Sequence, residues 1–317
     1  MPPEKTPHLD PVIALLLRAL PARDVDPKSP EQVRADFRRL TRFAPYRGSG
    51  KVAGIEDFAL DGGLRARLYR PAAAGPVPTV VFFHGGGWVV GDLDGYDAQC
   101  RRLRDLTGAA ILSTEYRLAP EAPFPAAVQD CLNATRWAAR NVARLGGDAS
   151  RLAVAGDSAG ANLATVVAQA LRGEVALRAQ LLLYPALDSV GLRSGEASAR
   201  FPSHARYASG YFLTLRRMNW YADRYVPNED DRADPRASPL RAPEFAGLAP
   251  AVIATAGFDP LRDEGRAYAA ALRAAGIATT YLEFGSLVHG FFALASFSPG
   301  ARRAAQACCA AFKSLLE

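Results

Sequence analysis

Gly156-Asp157-Ser158-Ala159-Gly160 sets a serine at the centre of a G-x-S-x-G pentapeptide. The apolar run Leu152-Ala153-Val154-Ala155 precedes it, and Ala161-Asn162-Leu163-Ala164 reads as the opening of a helix. A serine on so sharp a strand-to-helix turn has a strained backbone, and its hydroxyl projects above the sheet. The helix N-terminus beside it favours negative charge. These are the needs of a nucleophile that attacks a carbonyl carbon. The competing reading is a glycine-rich turn with an incidental serine. The strand before Ser158 and the helix after it favour the nucleophile.

His84-Gly85-Gly86-Gly87-Trp88 follows another apolar run, 79–83. Glycines let a backbone approach a bound group closely and aim its N–H groups. A tetrahedral intermediate needs such donors, and removing one costs about 3–4 kcal/mol in related chemistry. Gly86 and Gly87, with Ala159 just after the nucleophile, are the expected oxyanion donors, and Gly85 is their neighbouring candidate. A phosphate loop is the rival, but neither G-x-G-x-x-G nor G-K-[ST] occurs.

A serine nucleophile needs a base near neutral pKa, held by a third group. The histidines are His8, His84, His204 and His289. His8 lies in the N-terminal tail, His204 in a long insertion, and His84 is expected to orient its own loop. His289 follows the last apolar run, 279–284, and is the expected base. Asp259 follows the run 251–256 and is expected to orient His289. It could also cap the helix that Pro260 begins, and the two roles are compatible. Asp188, after the run 179–184, is the competing acid. Asp263 and Glu264 read as first-turn residues that complement a helix dipole.

These residues need a scaffold of strand ends. The apolar runs 79–83, 109–114, 152–155, 179–184, 251–256 and 279–284 alternate with helical stretches such as 98–106, 126–145, 161–172 and 263–275. That pattern predicts an α/β fold with a mainly parallel sheet covered on both faces. Phe58, Leu60, Leu64, Ala66, Leu68 and Tyr69 flank Asp61-Gly62-Gly63, which predicts an antiparallel hairpin at one edge. Residues 1–46 read as two helices. One follows the Asp10-Pro11 cap and carries Ile13, Leu16, Leu17 and Leu20 on one face; the other covers 31–43. Residues 189–248 break the alternation and hold an aromatic-rich helix over 213–225, as a functional lid or cap does.

The bulk properties exclude several classes. A chain of 317 residues with 49% hydrophobic and 22% charged side chains can bury a large core. The net charge of +6 comes from scattered arginines, not from a basic run, so no nucleic-acid partner is expected. No apolar stretch is long enough to cross a membrane. The apolar segment 12–17 lies between Pro11 and Arg18, unlike a signal peptide. Cys100, Cys131, Cys308 and Cys309 show neither C-x-x-C nor metal-ligand spacing. They read as buried thiols of a cytoplasmic protein, and no metal and no cofactor are expected.

The chain resembles the bacterial hormone-sensitive-lipase-like esterases, in the form with Gly-Asp-Ser-Ala-Gly. His84-Gly85-Gly86-Gly87-Trp88, Tyr116-Arg117-Leu118-Ala119-Pro120-Glu121, Gly156-Asp157-Ser158-Ala159-Gly160, Asp259-Pro260-Leu261-Arg262-Asp263 and His289-Gly290-Phe291 carry the likeness. It implies an α/β-hydrolase fold with an eight-stranded sheet. It also implies a helical cap built from residues 1–46 and 189–248, over a core of 47–188 and 249–317. The implied activity is hydrolysis of short- to medium-chain carboxylic esters, without cofactor, by Ser158, His289 and Asp259. Many members form homodimers. Phe258 departs from relatives, which often carry Tyr or another polar residue there, and the segment from Tyr116 to Pro125 is expected to serve structure. A lipase, amidase or peptidase on the same triad stays open. A non-catalytic receptor is the other alternative, but such relatives lose a triad member and this chain keeps all three. Tyr207, Tyr211, Phe212, Trp220 and Tyr221 could line a pocket or form cap core. Trp88 and Tyr211 are the expected pocket walls.

Overall fold

The computed structural model describes residues 8–19, 29–41, 46, 48 and 52–317. Leu20, the end of the helix expected over 31–43, and the expected boundary between 46 and 47 fall partly or wholly outside them.

Eight strands form one sheet in the order β1-β2-β4-β3-β5-β6-β7-β8. They are β1 (Val52–Ala59), β2 (Arg65–Pro71), β3 (Val77–Phe83), β4 (Ala110–Thr114), β5 (Gly147–Asp157), β6 (Ala179–Leu183), β7 (Ala251–Phe258) and β8 (Thr279–Val288). Strand β2 runs antiparallel to β1 and β4, and the pairs from β4 through β8 are parallel. The expected eight-stranded, mostly parallel α/β-hydrolase sheet is therefore present, with the hairpin at its edge.

The continuous apolar runs have a simple cause: alternate side chains serve two cores. Val81, Phe83, Val154, Leu182 and Ile253 pack on one face against α4 (Ala126–Arg140), α5 (Ala159–Ala170) and α9 (Arg262–Ala274). Val80, Phe82, Ala155, Leu181 and Val252 face the other side, with Cys100 of α3 (Asp97–Thr107) and Cys308 and Phe312 of α11 (Pro299–Leu316). Each large apolar side chain so buried contributes about 1.5–3 kcal/mol. All four cysteines are buried, unbridged thiols.

Helix α4 ends sooner than the pattern predicts. Asn141 caps it, its side chain donating to Trp137 O at 2.9 Å, and a turn through Gly146 leads into β5. Strand β5 starts earlier than its apolar part because polar Gly147 already pairs with Val77.

Helix α1 (Pro11–Ala19) opens on Asp10, whose Oδ1 accepts from Val12 N and Ile13 N. Ile13 packs among core residues that include Phe291 and Phe292. Helix α2 (Pro30–Thr41) is fastened by Arg34, which donates to Val89 O, to Ala119 O and to both Glu121 oxygens. Between β6 and β7 lie α6 (Glu196–Arg200), α7 (Pro202–Arg206) and α8 (Leu215–Tyr225). Thr214 caps α8 by accepting from Arg217 N. Trp220 and Tyr225 of α8 join the main core, while Met218 and Ala222 form a small separate cluster with Leu192, Ala197 and Leu261. Of the described residues, none belong to a helix long and apolar enough to cross a membrane.

Candidate active site

Strand β5 ends at Asp157 and α5 begins at Ala159, so Ser158 makes the whole turn alone. Its φ of 53° and ψ of −119° are strained values for a residue with a side chain. The turn is held from both sides. Ser158 N donates to Leu183 O, and Ser158 O accepts from Asn162 N. The two flanking glycines are required by space. A Cβ on Gly156 would meet Gly160 O at 2.2 Å, and one on Gly160 would meet Phe83 O at 2.0 Å.

His289 follows β8 and Asp259 follows β7, so both stand at the sheet end that presents Ser158. His289 Nε2 lies 3.0 Å from Ser158 Oγ, and His289 Nδ1 lies 2.8 Å from Asp259 Oδ2. Asp259 is fully buried. With its carboxylate accepting from Nδ1–H, the ring must accept from the serine hydroxyl through Nε2. The other carboxylate oxygen accepts from Leu261 N at 2.9 Å in a turn that precedes α9; the N-cap of that helix is Leu261, so Asp259 does not take the capping role that Pro260 suggests. Tyr184 packs edge-on against His289, with centroids 4.8 Å apart. Asp188, the competing acid, is instead paired with Arg200 and Arg241.

The glycine loop leaves β3 at Phe83. His84 is buried and donates through Nδ1 to Gly85 O at 2.8 Å. Its ring stacks on Tyr116, whose hydroxyl donates to His84 O at 2.7 Å. Burial lowers the His84 pKa to about 4, so the ring is neutral at pH 7. Gly86 and Gly87 have φ of 107° and 59°, and a Cβ on Gly86 would meet Val90 O at 2.2 Å. Among the described residues no protein acceptor takes the N–H of Gly86 or Gly87.

Gly85 differs from its expectation. Its N–H donates to Asp157 Oδ1 at 2.8 Å and is not available to an oxyanion. Asp157, between Gly156 and the serine, is the residue that sequence reasoning missed. Tyr96 OH and Tyr184 OH also approach its Oδ2, at 3.4 and 3.5 Å. Burial raises the Asp157 pKa to about 6, against those hydrogen bonds, which favour the carboxylate.

The expected pocket walls occupy different settings. Trp88 is 7% exposed and stacks on Tyr225 at 4.3 Å and 5°, inside the core. Tyr211 is half-buried over Phe258, the residue before Asp259, at 5.0 Å. Tyr207 is buried beside both. Two other aromatics of the insertion lie against the glycine loop and against the residue that follows His289. The Tyr221 ring covers Gly87, and the Phe212 ring lies beside Gly290.

The arrangement is competent for acyl transfer: a strained serine, a base aligned by a buried carboxylate, and a glycine loop bonded to the nucleophile turn. Among the described residues, no cluster of three or more His, Cys, Asp or Glu could hold a metal ion.

Comparisons with known proteins agree with that geometry. A family model described as alpha/beta hydrolase fold matches residues 80–293. The carboxylic ester hydrolase LipN of Mycobacterium tuberculosis is 41% identical over 307 residues, covering 92% of this chain and 79% of that protein. An ethyl acetate hydrolase of Pseudomonas putida is 40% identical over 239 residues, 74% of this chain and 73% of that one. The hyperthermophilic esterase of Pyrobaculum calidifontis superposes with a TM-score of 0.88 at 36% identity, covering 97% of this chain and 98% of its own.

Proposed function

The chain belongs to the hormone-sensitive-lipase-like esterases of the α/β-hydrolase fold, and from that membership we propose how it hydrolyses carboxylic esters. The observation that carries the mechanism is the line Ser158 Oγ–His289 Nε2, 3.0 Å, and His289 Nδ1–Asp259 Oδ2, 2.8 Å.

Ser158 Oγ attacks the ester carbonyl carbon while His289 Nε2 takes the hydroxyl proton. The carbonyl oxygen becomes an oxyanion and accepts from the N–H groups of Gly86, Gly87 and Ala159. His289 passes its proton to the alkoxy oxygen, the carbon–oxygen bond breaks, and the alcohol leaves an acyl-Ser158. Water repeats the sequence, giving one proton to His289 and its oxygen to the acyl carbon. The acid departs and Ser158 Oγ regains its proton. Asp259 holds the ring in the required tautomer and stabilises the imidazolium between the two transfers.

The substrates in this reading are small esters with short to medium acyl chains. Residues 1–46 and 189–248 act as a helical cap over the core 47–188 and 249–317. The cap half of that reading is supported by the aromatics of the insertion that lie on Gly87, Phe258 and Gly290. A cytoplasmic location fits four buried, unbridged thiols. A homodimer joined along β8 fits the outer position of that strand, which among the described residues has β7 as its single neighbour.

Ser158→Ala should abolish hydrolysis of p-nitrophenyl butyrate and leave the circular dichroism spectrum unchanged. Turnover retained in that variant would remove Ser158 as the nucleophile.

A further inference from the structure

The sheet order divides the site into two sides. Strand β5, which presents Ser158, lies between β3 on one side and β6, β7 and β8 on the other. The glycine loop follows β3, while Asp259 and His289 follow β7 and β8. A leaving alkoxide must take its proton from His289. The alcohol part of an ester therefore faces the β7–β8 side, and the acyl chain is left facing the β3 side.

One aromatic of the insertion stands over each side. A Cβ on Gly87 would lie 2.2–2.6 Å from Cγ, Cδ1 and Cδ2 of Tyr221, so that ring rests directly on the Gly87 backbone. On the other side, a Cβ on Gly290 would lie 3.4 and 3.7 Å from Cε1 and Cδ1 of Phe212. Both rings are half-buried, whereas Trp88 is enclosed by the core. Each is also held in place. Tyr221 sits on α8 beside buried Trp220, whose ring lies under the Arg224 guanidinium at 3.7 Å. Phe212 has φ of 27°, a conformation that persists only where the surroundings impose it.

We propose that Tyr221 walls the acyl side of the site and Phe212 the alcohol side, so that two residues of one insertion set the two selectivities separately. The proposal rests on the ester-hydrolase reading above. A ring held against the loop that carries the oxyanion donors limits the length or branching of an acyl chain. A ring beside the base limits the bulk of the leaving alcohol. One misplaced methylene changes kcat/KM by about tenfold or more, so a removed ring is readily measured.

The test uses the full chain and two substrate series. The acyl series is p-nitrophenyl acetate against p-nitrophenyl octanoate. The alcohol series is ethyl acetate against benzyl acetate. Tyr221→Ala should raise the octanoate-to-acetate ratio of kcat/KM by about tenfold and move the alcohol ratio by less than about twofold. Phe212→Ala should do the reverse. Tyr221→Trp, which keeps a ring on Gly87, should lower the octanoate-to-acetate ratio. It also answers the question if the alanine variant does not fold. Both ratios moving together in each variant, or neither moving, overturns the assignment. A wild-type chain that hydrolyses no ester and is not labelled by a serine-directed phosphonate would remove the ester-hydrolase reading itself. An active, labelled chain with unmoved ratios removes only the two walls.

Discussion

Gly85 gives its backbone N–H to Asp157 Oδ1 at 2.8 Å across 72 residues of sequence. The glycine loop and the nucleophile turn are thereby one unit. The N–H groups of Gly86 and Gly87, the oxyanion donors of the proposed mechanism, follow Gly85 directly and are therefore placed relative to Ser158 through the Asp157 carboxylate. The acceptor must stay charged to hold its full strength, since hydrogen bonds to charged groups are about twice as strong as neutral ones.

Asp157 therefore predicts a pH effect. Its pKa is raised from an ordinary 3.8 to about 6, so the folded chain binds this proton more tightly than the unfolded chain does. Protonation below pH 6 weakens the Gly85 contact, and His289 must also be neutral to act as base. The groups facing Asp157 are the Gly85 N–H, His289, Tyr96 and Tyr184. The acid limb of kcat/KM should thus fall more steeply below pH 6 in the wild-type chain than in Asp157→Asn, whose amide oxygen still accepts from Gly85. The stability consequence has a definite sign. Burying the carboxylate disfavours folding increasingly as pH rises from about 4 through 6. Asp157→Asn should gain stability relative to the wild type over that window and hold the gain above it. Denaturant midpoints across pH 4–8 measure this, and a flat difference would contradict it.

Much of the site was legible because its signals are local. The serine turn, the glycine loop, Asp259 and His289 each sit in a short motif at the end of an apolar run, and strand order does the rest. What was not legible lies in contacts between distant segments. Gly85 looks like a third donor until Asp157 takes its N–H. Trp88 looks like a pocket wall until Tyr225 stacks on it. Glu264 reads as a first-turn acid that complements a helix dipole, yet it is 1% exposed and bound to His204, 60 residues away. In the insertion, the aromatic-rich stretch 213–225 announces α8, but α6 and α7 are five residues each, too short for a periodic pattern.

The acid has its own test. Asp259→Asn preserves shape and the Leu261 contact but no longer fixes the His289 tautomer. The kcat should fall about 10,000-fold, with little change in melting temperature. A fall of less than about tenfold would mean that another group orients His289.

Gly86→Ala examines the oxyanion loop. The added Cβ would meet Val90 O at 2.2 Å in a backbone with φ of 107°, so the loop must shift. Misaligned donors stabilise the oxyanion less while the ground-state ester is bound much as before. A loss of about 100- to 1000-fold, mainly in kcat, is expected. Equal kcat with raised KM would place Gly86 in substrate binding instead.

Glu264 fastens the acid loop to the insertion. One of its carboxylate oxygens lies 2.7 Å from His204 Nε2, and the other accepts from Leu187 N and from Asp188 N. Nearby, Ser203 N donates to Asp263 Oδ2 and Ser203 Oγ to Pro260 O. The first turn of α9, just after Asp259, is thus tied to α7 and to the segment leaving β6. Burial raises the Glu264 pKa, and the contact with His204 opposes that shift. Glu264→Ala strands His204 and two backbone donors where water does not reach. Each buried donor left unsatisfied costs about 1–3 kcal/mol. Glu264→Gln keeps one oxygen for the backbone donors and should lose less. Urea unfolding of the two variants reads the difference directly. If Glu264→Ala unfolds within about 1 kcal/mol of the wild type, a typical single hydrogen bond, the network is incidental to the fold. If it loses several while Glu264→Gln holds, the strut is structural, and kcat should fall with it as Asp259 loses its support.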